Sequence, residues 1–147
     1  MKARESIAGE GGFTLMELLI VMVILGLLAA LVGPAMFGKV ASSRQKAAKT
    51  QISLFETALG TYRLDVGKYP TTQQGLVALR EEPQEAERWD GPYLAKELPL
   101  DPWGHDYEYA SPSEHGEFEI VCLGADGNSG GEGEDADVVS WTNSTTE

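Results

Sequence analysis

A single cysteine, Cys122, is the chain's whole supply of thiol. No disulfide can form within one copy, so the fold is not a small cross-linked scaffold. Phe118-Glu119-Ile120-Val121 before it and Leu123 after it mark Cys122 as a buried small hydrophobe. Histidine is almost as scarce: only His105 and His115 could serve as a catalytic base. Positive charge is short too, with 11 Lys and Arg against 23 Asp and Glu, a formal net charge of −12 and a pI near 4.5. Such a balance argues against nucleic acid as a partner. No internal repeat occurs.

What the chain does have is one long apolar run. From Phe13 to Val32 the only charged residue is Glu17. About 20 apolar residues at 1.5 Å each cross the hydrocarbon of a bilayer, so residues 13–33 read as a transmembrane helix. A carboxylate inside such a segment is costly, so Glu17 is expected to have a partner. Residues 34–66 read as the helix continuing. Gly33-Pro34 should loosen it, because proline lacks the backbone donor. Ile52, Phe55, Leu59, Tyr62 and Val66 step by three and four into one stripe, the face for packing on a sheet. Gly67 is placed to end the helix.

Residues 67–147 remain for a globular head, roughly 80 residues, enough for one small domain. Pro70 keeps Tyr69 extended, and Thr71 or Thr72 can cap a short helix carrying Leu76 and Leu79. In Asp101-Pro102-Trp103-Gly104, Pro102 fixes φ, Gly104 supplies a positive φ and Trp103 fills core space. Tyr107-Glu108-Tyr109, Phe118 to Cys122 and Val138 to Trp141 are β-rich. The expected fold is α+β: a long N-terminal helix on a three-stranded antiparallel sheet. Thr142 to Glu147 reads as a frayed tail.

The loop from Leu123 to Asp137 is the second unusual stretch. Asp126, Glu132, Glu134, Asp135 and Asp137 crowd a glycine-rich segment without Lys or Arg. Carboxylate and carbonyl oxygens around tight glycine turns suit Ca²⁺, which takes 6–8 oxygen ligands. An EF-hand count half-fits, from Asp126 to Asp137, but a glutamate should close it and helices should flank it. Gly127-Asn128-Ser129-Gly130-Gly131 fits G-x-S-x-G. That motif needs a larger fold and a histidine base, so a secreted serine hydrolase is a distant alternative.

Gly12-Phe13-Thr14-Leu15-Met16-Glu17-Leu18-Leu19-Ile20-Val21 resembles the prepilin signal of type IV pilins and type II secretion pseudopilins. Pro70-Thr71-Thr72-Gln73-Gln74-Gly75-Leu76, Trp89-Asp90-Gly91-Pro92-Tyr93 and Asp101-Pro102-Trp103-Gly104 resemble the major pseudopilins within that family. The resemblance implies that residues 1–12 are a leader, cut by a prepilin peptidase after Gly12, with Phe13 then N-methylated and Glu17 needed for assembly. It implies a non-enzymatic subunit anchored in the inner membrane lipid, with its head in the periplasm. Its partners would be copies of itself in a filament, minor pseudopilins and an inner-membrane assembly platform. It also implies one Ca²⁺ in the acidic loop, held by the Leu123 backbone oxygen, Asp126 and oxygens beyond Gly130-Gly131. Asp135 is the first choice for the second carboxylate, ahead of Glu132, Glu134 and Asp137.

Two observations cut across this. Lys39, Arg44, Lys46 and Lys49 follow the apolar run, against Lys2 and Arg4 before it. Taken alone, the positive-inside rule would put the head in the cytoplasm. An ordinary secretory signal would be cut after the apolar run, near Gly33-Pro34-Ala35, and would release a soluble binding protein. A type IV pilin is the nearer alternative, although many pilins staple the C-terminal region with a disulfide that one cysteine cannot make.

Overall fold

The computed structural model describes residues 12–141, except for the side chains of 32–37. Residues 1–11, all but the last of the expected leader 1–12, and residues 142–147, the expected frayed tail, lie outside the described residues. Two compact units are formed, Met1–Gly38 and Lys39–Glu147, so the second half of the long helix belongs with the head.

Helix α1, Leu15–Val66, is assigned without a break through Gly33 and Pro34. It starts at a reciprocal cap. The Thr14 N–H and hydroxyl both donate to Glu17 Oε2 at 2.9 Å, and the Glu17 N–H donates to Thr14 Oγ1 at 3.2 Å. Two backbone donors that the first turn would leave open are satisfied this way. At the other end the Gly67 N–H bonds the Arg63 carbonyl at 2.8 Å, with Gly67 at φ 87°. That left-handed conformation is one glycine adopts without strain.

In the first unit every large apolar side chain from Phe13 to Leu31 is exposed, on all faces of the helix. Water is a poor solvent for such a surface, and a helix apolar all round belongs inside something else. Among the described residues no helix is long and apolar enough to cross a membrane; the apolar stretch with described side chains stops at Leu31.

The second unit has an ordinary core. Ala48, Ile52, Phe55, Leu59 and Tyr62 of α1 are buried, with Val66 packed at the margin. Burying a side chain the size of Ile52, Phe55 or Leu59 contributes about 1.5–3 kcal/mol. Against them stand Leu76 and Leu79, then Tyr107 just before the sheet and Ile120 and Cys122 within it. Phe55 meets Tyr107 edge-on with ring centroids 5.1 Å apart.

The sheet holds β1 Glu108–Ala110, β2 Glu119–Cys122 and β3 Val138–Val139, antiparallel in that order. Tyr109 pairs with Ile120, and Cys122 with Val138. Strand β2 alternates: Ile120 and Cys122 are buried, Glu119 and Val121 half-buried. The third strand is shorter than the run to Trp141 predicts, because Ser140 leaves the ladder. Its hydroxyl oxygen accepts the Ile120 N–H at 3.0 Å in the interior.

One capping expectation is corrected. The short helix is a 3₁₀ turn, Leu76–Leu79, preceded by Gly75 and with no side-chain cap. Thr71 instead brackets the turn before it: its N–H donates to Gln74 Oε1 at 2.9 Å, and Gln74 returns an N–H to Thr71 Oγ1. Thr72 donates its hydroxyl to the Ser111 carbonyl, tying this segment to the end of β1. Threonine spacing cannot distinguish these roles, since the nearest open donor decides which turn is capped.

Candidate functional site

Two places carry the residues singled out by the sequence. At the start of α1, Gly12 and Phe13 are exposed, with Phe13 at 84%. A residue without a side chain at Gly12, outside the helix and with nothing packed within 4 Å of where a β-carbon would sit, lets another protein's groups approach the following bond closely. Glu17 lies one turn into the helix. Its partner within the chain is Thr14, and both bonds run to Oε2.

The acidic loop joins β2 to β3. It opens with Leu123 half-buried and Gly124 buried at φ 67°. A β-carbon on Gly124 or on Gly131 would sit 2.6 Å from the Asp135 carbonyl oxygen, so only glycine fits at either position. The two glycines thus bracket the Asp135 backbone, while the Asp135 side chain is exposed, as are those of Asp126, Glu132 and Glu134. Asp126 closes a tight turn on itself: Oδ1 accepts the Asn128 N–H at 3.1 Å, and the Asn128 side chain donates to the Asp126 carbonyl.

Asp137 differs from the other acids. It is half-buried; Oδ2 accepts the Gly130 N–H at 2.9 Å, and Oδ1 is buried with no hydrogen-bond partner among the described residues. A buried carboxylate oxygen without a partner is costly and calls for a cation or a donor. Among the described residues no three His, Cys, Asp or Glu side chains are gathered as a metal cluster. The donors present are oxygens only, carboxylate and carbonyl, with one buried carboxylate oxygen open. That set fits a hard divalent cation such as Ca²⁺. The open oxygen belongs to Asp137, and Asp135 brings its carbonyl to the turn.

Sequence reasoning missed the supports of this loop. Gln45 of α1 donates its side-chain amide to the Gly133 carbonyl. The His105 ring lies against Gly127, where a β-carbon would come within 3.4 Å of Cε1. Below it Asp101 is buried, and its Oδ1 accepts the N–H groups of Trp103 and His105. These contacts join residues far apart in the chain, and no local pattern announces them. Ser129 is exposed and, among the described residues, makes no hydrogen bond, so the G-x-S-x-G fit has no base attached to it.

Comparison with known proteins decides the family. Residues 35–141 match the family described as type II secretion system (T2SS), protein G, and residues 7–33 match the prokaryotic N-terminal methylation motif. The chain belongs to the type II secretion system protein G family. Protein G relatives include the type II secretion system core protein G of Vibrio cholerae serotype O1, 47% identical over 135 residues, covering 90% of this chain and 92% of the relative. The core protein G of Pseudomonas aeruginosa is 43% identical over 137 residues, covering 91% and 96%. A crystal structure of the major pseudopilin from the type 2 secretion system of enterohaemorrhagic Escherichia coli superposes with a TM-score of 0.63 at 34% identity. It covers 72% of this chain and 93% of that one. The α+β, pilin-like fold expected for a protein G is therefore the one observed.

Proposed function

We propose that this chain is the major structural subunit of a type II secretion pseudopilus, a helical filament whose growth drives proteins outward across the outer membrane. The observation that carries the reading is the protein G match over residues 35–141 directly after a methylation motif at 7–33. A type IV pilin accounts for the second match and not the first.

In this reading residues 1–12 are a leader, and a prepilin peptidase cuts after Gly12. Phe13 becomes the N-terminus and takes an N-methyl group. The exposed apolar side chains from Phe13 to Leu31 sit first in inner-membrane lipid and later among the same helices of neighbouring copies. Both settings remove them from water. The head stays in the periplasm, minor pseudopilins and an assembly platform are further partners, and the subunit catalyses nothing. Glu17 then has two tasks. Its Oε2 caps the helix through Thr14, and its carboxylate also faces the cationic Phe13 amine of a neighbouring copy. Charge pairing offsets the cost of a carboxylate in an apolar core.

The acidic loop holds one Ca²⁺ in this reading. Asp137, Asp126 and the carbonyls of Leu123 and Asp135 are the residues that would hold it. A bound dication supplies positive charge that quiets the repulsion among the loop's acids. Gln45 and His105 keep the loop seated on the head.

Complementation tests the reading. In cells that carry this secretion system but lack this subunit, the intact chain should restore export, and Glu17→Ala should not. Export restored equally by both would count against the assembly role of Glu17. No restoration by the intact chain would count against the function itself.

A further inference from the structure

A cluster of cations lies just past the apolar run. Lys39, Arg44, Lys46 and Lys49 are all exposed on α1, and no acidic residue occurs between Gly33 and Phe55. Lys39 precedes the buried Ala48 by nine residues, about two and a half helical turns. That spacing puts Lys39 on the face opposite the core, while Lys46 and Lys49, though exposed, border a groove with Asp137 and Val138 of the head. Among the described residues none of the four cations is in an ion pair. A basic collar of this density is unusual in a chain of net charge −12.

The head carries its complement. Between residues 81 and 90, Glu81, Glu82, Glu85, Glu87 and Asp90 face solvent with Arg88 as the one cation among them. None of these acids is ion-paired among the described residues. Glu81, Glu82 and Glu85 line a concavity of about 320 Å³ with Thr71, Gln74 and Val77. Val77 is 49% exposed and offers the concavity an apolar floor. A long basic side chain fits such a place, stem on the valine and charge among the carboxylates.

We propose that the collar of one copy docks on the acidic concavity of a second copy, an inference that rests on the filament reading above. Two different patches are joined, so the contact is head-to-tail and does not close on a dimer. The offset follows from the helix. The concavity's segment is anchored beside Tyr62: Tyr93 packs edge-on to Tyr62 and bonds the Leu79 carbonyl. Tyr62 lies about 27 Å along α1 from Arg44 at 1.5 Å per residue. Copies joined this way are staggered along the helix axis by about that amount. The contact also lowers the repulsion that subunits of net charge −12 would otherwise meet on packing.

The test uses the full chain expressed with its complete secretion machinery. Filament is measured by electron microscopy and by immunoblot of the pelleted assembly. Lys39→Glu with Lys46→Glu should cut filament yield at least tenfold, with leader removal and subunit level unchanged. Glu82→Lys with Glu85→Lys should do the same. The variant carrying all four changes should recover at least half of the lost yield. As a second measurement, Lys46→Cys with Glu85→Cys should give a ladder of oxidation-linked copies, because Cys122 is buried and does not compete. If both charge reversals assemble normally beside a normal wild type, or the ladder is absent, the interface is overturned and the filament reading stands. If the lysine variant alone fails, and also no longer floats with phosphatidylglycerol vesicles, the collar binds lipid phosphate and the proposal is overturned. A wild-type chain that forms no filament overturns the underlying reading instead.

Discussion

Asp101 accepts the Cys122 thiol hydrogen across 3.2 Å in the interior of the head. The same carboxylate accepts the N–H groups of Trp103 and His105 through its other oxygen. Burial works against its ionisation, but these donors outweigh burial and hold the Asp101 carboxyl below its ordinary value. Burial likewise pushes the Cys122 thiol up to about 12. The turn before β1, the strand β2 and the base of the acidic loop thus meet at one buried pair.

Asp101→Ala should cost about 2–4 kcal/mol, because it strands buried donors that have no water to turn to. Asp101→Asn should cost less, since the amide keeps one acceptor. The sign of the pH effect is fixed. With its folded pKa depressed, Asp101 stabilises the head fully above the unfolded aspartate value near ~3.9, and that part is lost as pH falls through the folded value. Urea midpoints between pH 2 and 7 should show an acid-side fall that Asp101→Asn makes shallower. Cys122 should resist iodoacetamide at pH 8 in the native head and react once the head is unfolded.

Gly12→Val should block leader removal. The branched side chain stands where the peptidase must approach the Gly12–Phe13 bond. An immunoblot should show the precursor alone; a band shorter by the leader would contradict this.

Glu17→Ala should leave leader removal and the head's melting temperature unchanged while filament yield collapses. Loss of the Thr14 cap costs only about 0.5–2 kcal/mol of local helix stability, too little to unfold a head with its own core. Glu17→Gln separates the roles, since it keeps much of the cap and removes the charge. Filaments from Glu17→Gln at normal yield would sink the pairing with the Phe13 amine.

Millimolar Ca²⁺ should raise the melting temperature of the protein. Binding only the folded state adds about 2.7 kcal/mol at a hundredfold excess over Kd. Asp137→Ala and Asp126→Ala should each abolish the shift, Ser129→Ala should not, and Mg²⁺ should substitute poorly. Asp135→Ala should weaken the shift less than Asp137→Ala, since the open buried oxygen belongs to Asp137. Identical melting curves in EGTA and in Ca²⁺, from protein shown to be metal-free, would leave a solvated loop.

Periodicity made the helix legible. The stripe from Ile52 to Tyr62 is the buried face, and Gly67 ends α1 as its position predicts. β-Branched and aromatic runs located the three strands to within a few residues, because alternation against a core is a local signal. What depended on distant partners was not legible. Ser140 turns to the backbone of Ile120, and Gln45 reaches Gly133 across 88 positions. In the acidic loop the composition gave the chemistry but not the ranking of its acids. Which oxygen is left open depends on how Gly124 and Gly131 fold the chain around Asp135.

The central claim is that this chain builds a filament from subunits that begin at Phe13. It is tested most directly by isolating fibres from cells expressing the whole secretion system and determining the subunit's N-terminus by mass spectrometry. The account predicts fibres made of this chain starting at N-methyl-Phe13. A soluble chain starting near Ala35 or Met36, with no fibre, would contradict it.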